Sequence, residues 1–151
     1  MNESDSITAA ETGIAKLPVV AAVLALIGLV DAAYLTVHHY TAEPVPCSIV
    51  EGCETVLTSA YAQIGGFPIA GLGAIAYFVA FSLAVLAAYG SRPAWLLFGA
   101  QATLIAVVSG FLVYLQASVI GAFCQFCLIS AATSFSLFVI FLISKFLVGR
   151  T

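Results

Sequence analysis

LPVVAAVLALIGLVDAAYLTV, the stretch from Leu17 to Val37, is a long apolar run with a single charged side chain, Asp31. A helix needs about 20 mostly apolar residues to cross the hydrocarbon core of a bilayer. Similar runs follow at about residues 68–89, 94–118 and 124–144. They are about twice as long as a transmembrane β-strand and do not alternate apolar with polar residues. The sequence therefore predicts an all-α integral membrane protein with four transmembrane helices, the first at about residues 17–37.

The composition supports this fold class and excludes others. The chain has 151 residues, of which 63% are hydrophobic and 7% are charged. Soluble domains have roughly 45–50% apolar and about 25% charged residues. Four Lys and Arg residues cannot form the basic surface that nucleic acid requires. We expect a single membrane domain over residues 1–151, in contact with lipid and without nucleic-acid binding.

The basic residues predict the orientation in the membrane. With four spans they all fall on one side, which the positive-inside rule assigns to the cytoplasm: Lys16, Arg92, Lys145 and Arg150. We therefore expect an inner-membrane protein with both termini in the cytoplasm and an outer loop, residues 38–67, on the periplasmic or extracellular side. The mixed segment 1–15 is predicted to be a mobile cytoplasmic tail. The first span is too long for a cleaved signal, so we expect it to be retained.

All four cysteines fall on the outer side in this topology. Cys47 and Cys53 lie in the outer loop, and Cys124 and Cys127 form a CxxC motif at the start of the fourth span. Thiols oxidise outside the bacterial cytoplasm, so two close pairs indicate disulfide chemistry. Two structural disulfides or a zinc site with four thiolates are the alternatives. Two observations argue against a metal. Five residues separate the loop cysteines, more than is usual in a zinc site, and the compartment is oxidising.

The CxxC spacing predicts different environments for its two thiols. Cys124 at the start of a helix is placed where the helix dipole favours a thiolate. Cys127 shares its face and lies about 4.5 Å deeper, at about 1.5 Å of rise per residue. We expect Cys124 to face the aqueous surface and Cys127 to face the bilayer. That arrangement suits electron transfer from a soluble donor to a lipid-soluble acceptor such as a quinone.

Several polar residues are further candidates for the site. Residues 54–64 have helical apolar spacing, which predicts a short amphipathic helix that covers the bundle and carries Ser59. Asp31 lies inside a span and shares a helix face with His38, so either is a candidate for proton transfer. We expect Tyr114 and Gln116 to lie in the interfacial belt rather than in a pocket.

The motifs together resemble the bacterial branch of the vitamin K epoxide reductase family over nearly the whole chain. The loop has Cys47, then CETVLTSAY from Cys53 to Tyr61, then IGGFPIAGLG from Ile64 to Gly73. This is similar to the family's paired loop cysteines, a serine six residues past the second cysteine, and a Pro/Gly start to the next span. CQFC at 124–127 resembles the family's redox motif, and DAAYLT at 31–36 is similar to the end of its first span.

The resemblance implies a four-helix bundle around a quinone pocket, with a ubiquinone or menaquinone as electron acceptor. It further implies that Cys47 meets a thioredoxin-fold partner and that Cys53 relays to Cys124. Cys127 would react at the quinone, near Ser59. Many relatives carry a fused thioredoxin-like domain, and none is recognisable here, so the partner is expected to be a separate protein.

Two alternatives are weighed against this function. Members of the family from animals have a tyrosine four residues past the CxxC motif, where this chain has Ala131, which argues against vitamin K quinone or epoxide reduction. A non-enzymatic membrane assembly factor with structural disulfides is the other alternative. Its disulfides would stay fixed, whereas those of an enzyme would cycle when quinone is added.

Overall fold

A computed structural model describes the backbone of residues 3–148 and the side chains of residues 15–148. Four long helices dominate this part of the chain: α1 (Glu3–Thr41), α3 (Ile69–Ala88), α4 (Arg92–Leu115) and α5 (Gln125–Val148). A π-helical turn, Gln116–Ile120, extends α4. The loop between α1 and α3 contains the short helix α2 (Cys53–Leu57), a 3-10 turn (Ala60–Ala62) and a hairpin of β1 (Gln63–Ile64) and β2 (Phe67–Pro68).

Each long helix contains a segment that is long and apolar enough to cross a membrane. These segments are Ala15–Thr41, Ile69–Ala88, Arg92–Ile120 and Gln125–Val148. The predicted all-α fold with four membrane-crossing helices is therefore confirmed, and the chain is a multi-pass membrane protein.

Helix α1 is longer than the predicted span at both ends. It begins at Glu3, so the prediction of a mobile tail is wrong for residues 3–15, while Met1 and Asn2 lie outside the described residues. It also continues through His38 to Thr41, so the outer loop covers residues 42–68 rather than 38–67. The physical reason is that a nucleated helix gains one backbone hydrogen bond for each added residue. The side chain of Thr41 donates a further hydrogen bond to the Val37 carbonyl at 3.1 Å.

The helices pack in a ring, with α1 between α3 and α5, and α4 closing the other side against the same two helices. Small side chains fill the closest contacts, and Ala21, Ala25, Ala80 and Ala102 are fully buried. Small residues let membrane helices approach closely without a hydrophobic driving force between them. The α1–α3 contact also leaves room for the Tyr77 ring, which occupies the space that a side chain at Gly28 would need.

Candidate active site

The loop cysteines close a small ring. Cys47 and Cys53 form a disulfide bond, with their Cα atoms 6.2 Å apart. Cys53 is the first residue of α2 and is buried, whereas Cys47 is half-buried and therefore the more accessible of the two. Ile49 in the middle of the ring is 81% exposed. The ring thus has an outward side, which carries Ile49, and an inward side, which carries Cys53.

Two contacts hold this ring against the segment that precedes α5. Gly52 lies so close to the backbone of Phe123 that a Cβ atom at this position would be 2.6 Å from the Phe123 carbonyl oxygen. The backbone N–H of Ile49 donates a hydrogen bond to Oε1 of Gln125 at 3.0 Å. Gln125 is the first residue between the two cysteines of the CxxC motif. The loop pair is therefore held directly over the start of α5.

The two cysteine pairs meet in one buried cluster. Cys53, Val56 and Cys124 form its centre, with Cys53 1% exposed and Cys124 fully buried. Cys47 and Cys127 pack against the same cluster from its edges. A thiol of the loop pair and a thiol of the CxxC pair are thereby packed together in one cluster, as disulfide exchange between the pairs requires.

Cys124 occupies the N-cap position of α5. The backbone N–H of Cys127 donates to the Cys124 sulfur at 3.3 Å, and the N–H of Leu128 donates to the Cys124 carbonyl at 3.0 Å. These are the interactions of an N-cap residue, with sulfur in place of the usual oxygen. The hydrogen bond with the Cys127 side chain lowers the pKa of the Cys124 thiol below its usual value, against the opposing effect of burial. The structure therefore favours Cys124 as a thiolate in the reduced pair.

We expect the pKa of the Cys124 thiol to depend on the side chain at position 127. In a background of Cys47→Ala and Cys53→Ala, Cys127→Ser retains a hydroxyl donor, whereas Cys127→Ala removes the donor. A hydrogen bond to a charged group contributes about 1.5–3 kcal/mol, and one pKa unit corresponds to about 1.4 kcal/mol. The Cys124 pKa should be about one unit or more higher in the alanine variant, so its thiolate should appear only at higher pH. Thiolate ultraviolet absorbance against pH measures this, and equal values in the two variants would contradict the assignment.

The structure contradicts the prediction for one of the two CxxC thiols. Cys124 was expected to face the aqueous surface, but it is fully buried beneath the loop. Cys127 is half-buried and lines a cavity inside the bundle. The reason is the long-range contact between Gly52 and Phe123, which the local spacing of the motif does not reveal.

The cavity has a volume of about 740 Å³ and lies between α1, α3, α4 and α5 beneath the outer loop. Small-molecule sites in proteins are usually about 300–1,000 Å³ and mostly apolar, with a few polar groups. Of the four cysteines, all of which lie in the described part of the chain, Cys127 alone lines it. The other polar or ionisable lining residues include Asp31, Ser59, Tyr77, Gln116, Ser130 and Ser134.

A hydroxyl network crosses the wall of this cavity at membrane depth. The Tyr77 hydroxyl donates to the Ser130 carbonyl at 2.6 Å and is 2.7 Å from the Ser134 hydroxyl. Ser134 is in turn 2.9 Å from the hydroxyl of Ser109. These contacts join α3, α4 and α5, and they satisfy polar groups that would be costly to bury unpaired. The sequence analysis missed Tyr77, although a tyrosine within a span is a signal for such a bond.

Asp31 and His38 both line the cavity, at different depths. Asp31 lies about 15 Å along the helix from Thr41, at 1.5 Å rise per residue. Its Oδ2 atom is buried and has no hydrogen-bond partner among the described residues. His38 lies about two helical turns nearer to the outer loop. Its Nδ1 is 3.2 Å from the Glu43 carbonyl oxygen, and its ring packs on Tyr34. The predicted shared face is therefore directed into the cavity.

Ser59 lines the cavity, but the amphipathic helix predicted over residues 54–64 is wrong in extent. Helix α2 ends at Leu57, and Ser59 has an extended backbone with ψ of 156°. The Ser59 hydroxyl donates to the Val56 carbonyl at 2.7 Å, and the Thr58 hydroxyl donates to the Glu54 carbonyl at 2.7 Å. Such side chains compete for the helix carbonyls and end the helix, which a count of apolar spacing overlooks.

Gln116 is a further site residue, and the prediction that placed it in the interfacial belt is wrong. It is 2% exposed and lines the cavity, and its Oε1 accepts a hydrogen bond from the Cys124 backbone N–H at 2.8 Å. It lies on the π-helical turn that extends α4, which turns its side chain inward. Tyr114, by contrast, is 61% exposed, in keeping with a position at the interface. A glutamine in an apolar span is itself the signal that marks a buried polar role.

No group of three or more His, Cys, Asp or Glu residues is arranged to hold a metal ion among residues 15–148. Cys47 and Cys53 are bonded to each other, so the other two cysteines, Cys124 and Cys127, are free thiols.

Comparison with known proteins identifies similar sequences over most of the chain. Residues 19–142 match the sequence model of the vitamin K epoxide reductase family. The thiol-disulfide oxidoreductase LTO1 of Arabidopsis thaliana is 34% identical over 119 residues, which are 73% of this chain. The match covers 32% of that relative, so the chain spans about a third of the length of the curated relative it matches.

Proposed function

The chain belongs to the vitamin K epoxide reductase family, and we propose that it is a membrane thiol:quinone oxidoreductase that reoxidises a thioredoxin-fold partner. The observation that carries this proposal is that the two CxxC cysteines have different surroundings. Cys124 shares a buried cluster with Cys53 of the loop pair, while Cys127 lines the cavity within the bundle. The similar protein LTO1 is a thiol-disulfide oxidoreductase, which supports the same chemistry.

The order of disulfide exchange follows from accessibility. A thiolate of the reduced partner attacks the sulfur of Cys47, which is the more exposed end of the loop disulfide, and Cys53 leaves as a thiolate. The second partner thiol then displaces Cys47, which leaves the partner oxidised and the loop pair reduced. Cys53 attacks Cys124 in the CxxC disulfide and releases Cys127. Attack by Cys47 on Cys53 finally restores the loop disulfide and leaves the CxxC pair reduced.

The cavity fits a quinone head group as the final electron acceptor. Its volume and its apolar walls suit a flat apolar ring, and Ser59 and Asp31 are polar lining residues that can bond to ring oxygens. No hydrogen bond among the described residues holds Oδ2 of Asp31, so rotation of its side chain can present the carboxyl group to a bound molecule. A quinone would supply a two-electron, two-proton acceptor that stays in the membrane, and Cys127 is the thiol positioned to face it.

The orientation in the membrane is part of the proposal. Lys16, Arg92 and Lys145 lie near the ends of the membrane-crossing segments opposite the outer loop, and Arg150 lies outside the described residues. The positive-inside rule then places both termini in the cytoplasm and all four cysteines on the outer side of the cytoplasmic membrane. There the partner would be a thioredoxin fold that introduces disulfides into exported proteins.

Reconstitution tests the proposal. The purified protein in lipid vesicles should oxidise a reduced thioredoxin-fold donor while an added short-chain quinone loses its ultraviolet absorbance, one quinone for each donor disulfide formed. Vesicles without the protein are the control. Donor oxidation that consumes no quinone would reject the quinone as acceptor, and absence of donor oxidation would reject the partner.

A further inference from the structure

Asp31 is an ionisable residue that the disulfide exchange steps do not use. It is half-buried in the middle of α1 and lines the same cavity as Cys127. An ionisable side chain within a transmembrane segment costs free energy to bury, and such residues mark functional sites. Its Oδ2 is buried without a hydrogen-bond partner among the residues that the structure describes.

The surrounding polar groups are engaged elsewhere. The hydroxyl of Tyr77 bonds to Ser130 and Ser134 on α5, and Ser134 bonds to Ser109 on α4. This network is complete without the carboxyl group of Asp31. Because no hydrogen bond among the described residues holds Oδ2, rotation of the Asp31 side chain can present the carboxyl group to a molecule in the cavity.

Asp31 is also near the reactive thiols. Its carboxyl group interacts electrostatically with the side chains of both Cys124 and Cys127. One helical turn nearer to the loop, the rings of Tyr34 on α1 and Phe126 on α5 pack with centroids 5.2 Å apart. The α1–α5 contact thus fixes the level of Asp31 relative to the CxxC motif.

We propose that Asp31 is the proton donor for the quinone in this cavity, an inference that rests on the proposed thiol:quinone activity. When the reduced CxxC pair becomes a disulfide, the Cys124 thiolate and the Cys127 thiol form one S–S bond, the S–H bond of Cys127 breaks, and two electrons pass to the quinone. The quinone takes up two protons, one from Asp31 and the other from water, which received the proton of Cys124 when that thiol ionised. Asp31 gives the proton of its carboxyl group to a quinone oxygen. It then takes up the proton that Cys127 loses, so that it ends each cycle as it began.

This role predicts a pH dependence of quinone reduction. The rate should rise with pH as the thiols ionise, and fall at higher pH as Asp31 loses the proton that it must donate. In Asp31→Asn the falling limb should disappear. The titratable residues that line the cavity together with Asp31 are His38 and His39 from α1, Tyr77 from α3, Cys127 from α5, and Glu43, Glu54 and Tyr61 from the loop between α1 and α3.

The test compares Asp31→Asn and Asp31→Glu with Glu51→Gln, an acid-to-amide change at an exposed loop residue outside the cavity lining. With a small dithiol as donor, quinone reduction should fall about 100-fold or more in Asp31→Asn, the scale on which loss of a general acid acts. It should be partly restored in Asp31→Glu and unchanged in Glu51→Gln. Single-turnover oxidation of the thioredoxin-fold donor without quinone should be unchanged in all three variants.

Infrared spectroscopy gives a second readout that needs no quinone. Cycling the CxxC pair between dithiol and disulfide should change the carbonyl stretch of a protonated carboxyl group in the wild type, and this signal should be absent in Asp31→Asn. Wild-type quinone reduction in Asp31→Asn would overturn the inference, as would an equal loss of the exchange and quinone steps or an unchanged infrared signal. Wild-type protein that exchanges disulfides but reduces no quinone would instead refute the proposed function.

Discussion

Replacing Cys127 with serine is expected to lower quinone reduction at least about 1,000-fold with any thiol donor, the scale on which loss of an essential nucleophile acts. The reason is geometric, because Cys127 is the cysteine that lines the cavity, whereas Cys124 is buried beneath the loop. Serine keeps the size and a hydrogen-bond donor but cannot form a disulfide. The measurement is quinone absorbance in vesicles, with the thioredoxin-fold donor and a small dithiol in separate runs.

Cys47→Ser is the matched control for that variant. It should lose the reaction with the protein donor to a similar extent, since Cys47 is the accessible end of the loop disulfide. It should retain measurable reduction with the small dithiol, which can reach the CxxC pair without the loop. Full protein-driven activity in Cys47→Ser, or any substantial quinone reduction in Cys127→Ser, would contradict the proposed route.

The sequence alone predicted the membrane helices well because hydropathy is a property of each segment by itself. Helix α3 begins and ends within one residue of the predicted span of 68–89. The start of α1 could not be predicted in this way, because residues 3–15 extend the helix beyond the apolar run. Hydropathy identifies the part of a helix that lies in lipid, but it does not show where the helix itself ends.

The four cysteines were also recognisable from their spacing and their side of the membrane. What the spacing could not reveal is which CxxC thiol is covered, because that depends on Gly52 packing against Phe123, far away in the sequence. The role of Gln116 escaped for a related reason. Its inward direction follows from the π-helical turn, and its partner is the backbone of Cys124 on the next segment.

The break in the helix predicted over residues 54–64 shows a different limit. The apolar spacing there is helical, but the side chains of Thr58 and Ser59 bond to carbonyls of α2 and end it. Local hydrogen bonds of this kind outweigh periodicity over a segment as short as α2.

The second large effect concerns trapped intermediates. Cys53→Ala removes the thiol that resolves a mixed disulfide at Cys47. The donor is supplied as a single-cysteine variant activated as its mixed disulfide with thionitrobenzoate, so the Cys47 thiolate attacks the donor sulfur and releases thionitrobenzoate. The disulfide between Cys47 and the donor should accumulate in Cys53→Ala, whereas in the reduced wild type Cys53 displaces the donor and almost none should remain. Non-reducing gel electrophoresis with the donor measures this, and Cys47→Ala serves as the control that cannot form the adduct. An equal amount of adduct in the control would show that Cys47 is not the point of attack.

Disulfide mapping of Cys47→Ala by non-reducing mass spectrometry tests the central claim most directly. Without Cys47, the bridge that Cys53 forms with the CxxC pair cannot be resolved from the loop side. The burial of Cys53 and Cys124 in one cluster predicts a Cys53–Cys124 bridge. Two double variants sharpen the test: Cys47→Ala with Cys127→Ala should form this bridge under mild oxidation, and Cys47→Ala with Cys124→Ala should not form its counterpart. A Cys53–Cys127 bridge would contradict the account, since it would make Cys127 the relay thiol and leave none facing the cavity.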